Sequence, residues 1–128
     1  MHRSVIPLLA LTAVAVAQTP SKEDARFFDK RVAPILSKRC LGCHNQELND
    51  GGISFLDRET LIRGGSRGPA IIPGDPERSL LIHAIRRDGD LMMPPGTPLT
   101  PRDVATLAEW IKRGAPWGTK LRAQPKSK

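Results

Sequence analysis

The sequence predicts an all-α fold of three to four short helices joined by long loops. Apolar residues recur at helical spacing in several separate stretches. Ser, Asp and Thr residues open those stretches, and at two of them Pro follows at once, as at helix N-termini. Almost no run alternates apolar and polar residues as a half-buried strand would. A chain of 128 residues holds one domain, and its composition, with 26% charged and 39% hydrophobic residues, is globular.

The first helix opens at Ser21, with Asp24 at its third position, and carries Phe28, Val32, Ile35 and Leu36 on one face. Pro34 divides it into two segments, because the residue before a proline is disfavoured in α geometry. The second segment runs into Cys40. Residues 45–52 are polar and end in a Gly pair, which predicts a loop. Ile53–Leu56 reads as a short extended piece, and Asp57 caps one or two turns through Ile62. Arg63–Gly74 is rich in Gly and Pro, yet its Ile71 and Ile72 call for burial. Asp75-Pro76-Glu77 predicts a further helix start, with Leu81, Ala84 and Ile85 on one face and Arg86-Arg87 favouring its C-terminal dipole. After the loop Asp88–Leu99, Thr100-Pro101 opens the last helix, striped by Val104, Leu107, Ala108 and Ile111 and ended by Gly114.

The formal net charge of +7 is unevenly placed. Residues 1–17 read as an export signal: basic His2 and Arg3, an apolar run from Val5, and an A-x-A pattern at Ala15–Ala17. Thirteen apolar-run residues are short for a bilayer span, although an uncleaved anchor is the alternative. The stretch 119–128 has Lys120, Arg122, Lys126 and Lys128 and no acid, and reads as a basic flexible tail. The body, residues 18–118, holds fifteen basic and thirteen acidic residues. That near balance, with three Phe, two Trp and no Tyr, argues against a nucleic-acid partner.

Loops this long are uncommon in a compact domain, and short helices with few large side chains leave a thin core. A bound prosthetic group would organise both. Cys40-Leu41-Gly42-Cys43-His44 is a C-x-x-C-H haem-attachment sequence. Positions i, i+3 and i+4 share one face of a helical turn, so two thiols can bond the two haem vinyls while the imidazole reaches the iron. Three other readings compete. A zinc site needs about four ligands, and Cys40, Cys43, His44 and His83 barely complete a set. A thioredoxin-like pair needs a βαβ context that the chain lacks. A structural disulfide leaves the adjacent His44 unexplained.

The blocks Phe27–Leu36, Cys40–His44, Gly64-Gly65, Gly68–Pro76, Ser79–Ile82, Met93-Pro94-Pro95 and Trp110–Trp117 run in order along the chain. Together they resemble the planctomycete-type cytochrome c family. The resemblance implies a class I-like cytochrome c fold around one covalent haem c. It places the second iron ligand in the loop before the last helix. The methionines beyond the leader are Met92 and Met93, and the family pattern favours Met93, directly before Pro-Pro. Neighbours in an extended segment point to opposite sides, so the two do not both face the iron. Alternatives are Met92, His83, core packing for both methionines, or an open sixth position.

Other residues carry ordinary readings beside functional ones. Trp110 and Trp117 read as packing residues, with contact to the haem edge as the alternative. Gly64-Gly65 and Gly68 read as a tight turn, since the Lys-Ser/Thr of a phosphate loop is missing. Arg63 and Arg67 read as solvated loop residues, with haem-propionate partners as the alternative. Asp88 and Asp90 read as turn residues.

The function expected is an exported, periplasmic, monomeric mono-haem cytochrome, not an enzyme. It carries one electron at a time to protein redox partners, with no nucleic acid and no membrane insertion. Cys40 and Cys43 hold the haem, and His44 and Met93 are the proximal and distal iron ligands. A gas or peroxide sensor, a small peroxidase with an open position, or a haem subunit of a larger redox enzyme are the alternatives.

Overall fold

The computed structural model describes residues 19–45 and 50–121. The leader, residues 1–17, and the last residues of the basic stretch, 122–128, lie outside them.

The all-α expectation holds: the described residues form helices and turns, with no β-strand. Ser21 caps α1 (Lys22–Phe27) by accepting from the Asp24 amide at 3.0 Å. The chain then passes through one π-helical turn, Phe28–Val32, into α2 (Ala33–Arg39), so Lys22–Arg39 forms a single arm. Pro34, at the start of α2, has no amide hydrogen to continue the α ladder. The π register instead lets Ala33 N–H reach Phe28 C=O. The division expected at Pro34 is therefore a change of register within one arm.

Asp57 caps α3 (Arg58–Arg63), accepting from Glu59 N–H. Ile53–Leu56 forms no strand; Phe55 N–H donates to His44 C=O at 2.9 Å and bends back on the Cys-containing turn. The Gly64–Gly68 segment is a tight turn, as expected. A Cβ at Gly65 would lie 1.7 Å from Gly51 O, so only glycine permits that approach. Ala70 and Ile71 thread between helices, donating to Leu61 C=O, and both are buried.

The helix expected from Asp75 is split. Asp75 does cap it, but the first turn, Pro76–Arg78, is 3-10, and Ser79 turns extended before α4 (Leu80–Arg86) begins. Ser79 explains the break: fully buried, its hydroxyl donates to Asp75 C=O and accepts from Ile72 N–H. Thr100 caps α5 (Pro101–Lys112). Gly114, with φ +95°, closes it by a Schellman motif: Gly114 N–H donates to Ile111 C=O and Ala115 N–H to Trp110 C=O.

The arm packs on α5 through an aromatic cluster. The Phe28 ring lies 4.3 Å from Trp117 and 5.9 Å from Trp110, centroid to centroid. Both indoles are satisfied, Trp110 donating to Pro116 C=O and Trp117 to Leu121 C=O. The described chain stays packed beyond Gly118, as far as Leu121. Asp29 accepts from Thr119 N–H, Thr119 Oγ1 and Lys120 N–H, and Leu121 is buried.

Candidate functional site

The end of α2 delivers the Cys-containing turn. Cys40 N–H donates to Leu36 C=O, and Cys43 and His44 N–H both return to Cys40 C=O at 3.3 and 3.0 Å. The two thiols and the imidazole thus share one turn. Both thiols are free. Burial pushes the Cys40 thiol up to about 12, against the opposing charge of Arg39. A thioredoxin-type nucleophile has its pKa lowered, so this turn lacks that signature. Among the described residues, no cluster of three or more His, Cys, Asp and Glu is arranged to hold a metal ion.

His44 is held in a defined state. Its Nδ1 lies 3.2 Å from Ile53 C=O, an acceptor only, so Nδ1 carries the proton and donates. In the neutral ring that places the lone pair on Nε2, the form an imidazole needs to ligate a metal. The Phe55 ring stands edge-on at 5.4 Å and fixes the plane.

Cys40, Cys43, His44 and Met93 all line one cavity of about 300 Å³. Its remaining wall is largely apolar, with Ile53, Phe55, Leu81, Ala84, Ile85 and Leu91 among its residues. Met92, the neighbour of Met93, is 55% exposed and is not part of the lining.

The segment bearing Met93 is tied at several points. Met93 N–H donates to Ala84 C=O at 3.0 Å. Arg87 Nη2 donates to Pro94 and Gly96 C=O at 2.6 and 2.7 Å. Arg39, next to Cys40, donates to Thr97 C=O. Sequence reasoning assigned Arg87 only to the helix dipole and left Arg39 without a role. A signal was present: Pro94 and Pro95 have no N–H, so their loop must be held by its carbonyls, and those need outside donors.

The other candidates separate cleanly. His83 lies outside the cavity lining, half-exposed, between Asp88 and Glu77 C=O. Trp110 and Trp117 are packing residues and do not line the cavity. Arg67 is at the cavity and engages both carboxylate oxygens of Asp90, whereas exposed Arg63 is not at the cavity. Asp90 and Asp88 are thus ion-pair partners as well as loop residues.

The donor set and its surroundings fit a haem. Two free thiols can form thioethers, an imidazole and a thioether sulfur can ligate iron, and the apolar wall suits a macrocycle. These are the features of a c-type cytochrome site, a class of haem-binding electron carriers.

Residues 40–96 match the family model described as Planctomycete cytochrome C, so the family that the sequence blocks resemble is the one the comparison finds. The matched segment runs from the first cysteine to just beyond Pro95 and so contains Cys40, Cys43, His44 and Met93. The blocks Phe27–Leu36 and Trp110–Trp117 lie outside it. No match was found among curated proteins or among solved structures.

Proposed function

We propose that the chain is an exported mono-haem cytochrome c that carries one electron at a time, with haem bound through Cys40 and Cys43 and with His44 and Met93 as iron ligands. The observation that carries this reading is that one apolar cavity is lined by both the C-x-x-C-H turn and Met93. Haem, once bound, supplies the redox chemistry through its iron. Cys40 and Cys43 would hold it by thioether bonds, each thiol adding its S–H across a vinyl group with no net oxidation. Ile53 C=O holds the His44 proton on Nδ1 and leaves Nε2 to ligate. Exposure of Met92 and placement of Met93 at the cavity favour Met93 as the second ligand. A soft, neutral thioether there raises the potential of the iron. α4 contributes apolar walls that offer water no hydrogen-bonding partner there. Export is supported by the A-x-A pattern at Ala15–Ala17.

Protein made in a host with haem-maturation machinery should carry one haem that survives acid-acetone extraction. Its ferric spectrum should show the far-red Met–iron band, lost in Met93→Ala and kept in Met92→Ala. Folded, haem-free protein from that host overturns the reading. A band lost in Met92→Ala alone moves the ligand by one residue.

A further inference from the structure

We infer that Arg87 is the positioning residue for Met93: its guanidinium grips the backbone of the Met93 loop and holds the thioether in place. The inference rests on the reading of Met93 as an iron ligand. It starts from a conformational oddity. Arg87 ends α4 with φ +58° and ψ +36°, the left-handed region. Its N–H donates to Ala84 C=O and Asp88 N–H to His83 C=O, the bonds of a Schellman motif. Glycine is the usual residue at that position, because a Cβ is strained there.

The side chain accounts for an arginine at that corner. From this corner Nη2 meets two carbonyls of the loop, Pro94 and Gly96. A lysine ammonium is a more mobile point charge, while the planar fork of arginine is pre-organised for such contacts. The corner and the loop also share an acceptor, for Ala84 C=O takes both Arg87 N–H and Met93 N–H, at 3.3 and 3.0 Å. Arg87 thus fixes the loop beyond Met93, and the end of its own helix fixes Met93 itself. On the C-terminal side of Met93 the next amide is that of Gly96, since Pro94 and Pro95 have none. Holding the loop beforehand lowers the ordering cost of a weak ligand, so loosening it should admit competitors.

The test uses haem-loaded protein and three variants: Arg87→Gly, Arg87→Lys and Met93→Ala. Glycine suits the left-handed corner, so Arg87→Gly removes the guanidinium while keeping the helix end. Arg87→Lys keeps the charge without the fork. The readouts are the far-red Met–iron band, the alkaline midpoint at which it disappears, and the affinity of added imidazole. We expect Arg87→Gly to bind imidazole about tenfold more tightly than the wild type and to lose the band at lower pH. Arg87→Lys should fall between. A role confined to stability would lower the melting temperature of both variants and leave imidazole affinity unmoved. Affinity and alkaline midpoint unchanged in both variants, beside a wild type that shows the band, overturn the role of Arg87 alone. A wild type without the band, or with a band that survives Met93→Ala, overturns the ligand assignment and this inference with it.

Discussion

Ser79→Ala tests how the wall of the cavity is anchored. Ser79 is fully buried, and its hydroxyl donates to Asp75 C=O at 2.8 Å and accepts from Ile72 N–H at 2.9 Å. Alanine fits the space but leaves one carbonyl and one amide without a partner. A net hydrogen bond contributes about 1 kcal/mol, and a buried group left unsatisfied costs roughly 1–3 kcal/mol. Both backbone groups belong to half-buried residues, so water relieves part of the cost. The expected loss is therefore about 2 kcal/mol in all. In a domain of this size that corresponds to a fall in melting temperature of roughly 8–15 °C. The assay is urea unfolding of the haem-loaded protein followed by far-ultraviolet circular dichroism, with exposed Ser37→Ala as control. The midpoint should fall with an unchanged slope, and the control should stay within about 0.5 kcal/mol. A Ser79→Ala loss no larger than that of the control would refute the account of the helix break.

Two further perturbations probe charge. His83 is held with its pKa above the ordinary value of 6.5, first by the Glu77 carbonyl and then by the Asp88 carboxylate, which together favour the doubly protonated ring. Its contribution is full below the ordinary value and is lost as pH rises through the raised one, so His83→Gln should flatten the decline of stability above pH 6.5; an NMR titration giving an unshifted imidazole would contradict it. Removing residues 122–128 takes away Arg122, Lys126 and Lys128 and should flatten the ionic-strength dependence of oxidation by ferricyanide. Cutting after Gly118 instead should also destabilise the fold, because Asp29 loses the donors of Thr119 and Lys120.

The helices and the Cys-containing turn were legible because their signals are local. Ser21, Asp57, Asp75 and Thr100 all cap as their residue types dictate, and the C-x-x-C-H spacing lies within a single turn. What escaped reading depends on partners far along the chain. The hold of Asp29 on Thr119 and Lys120 spans some ninety residues, and a basic terminal stretch offers no hint of it. The break at Ser79 was half legible. Serine is itself a cap residue, yet the stronger Asp75-Pro76 signal just before it suggested one uninterrupted helix. The hydroxyl bond to Ile72 that makes the break worthwhile comes from a loop read as irregular. The grip of Arg87 was hidden for a different reason. Basic residues at a helix end already have an electrostatic explanation, and only the left-handed backbone turns this one towards the loop.

Stability and site occupy different parts of the fold, and that bears on how a thin core tolerates a cavity. Phe28, Trp110 and Trp117 join the arm to α5, and none of them lines the cavity. Large aromatic surfaces are the strongest contributors to core energetics, so this half of the molecule closes on its own side chains. The cavity half is built differently. Its walls are aliphatic residues of α4 and single residues from loops, and its Met93 segment is held by backbone carbonyls bonded to Arg87 and Arg39. Such charge-assisted bonds fix geometry where the apolar packing does not reach. A group bound in the cavity would therefore border only one half of the described fold. The aromatic half supplies a rigid frame, and α4, in contact with α5 on one side and with the cavity on the other, joins the two. A ligand as weak as a thioether can be held by that frame because little of the loop is left to order when it binds.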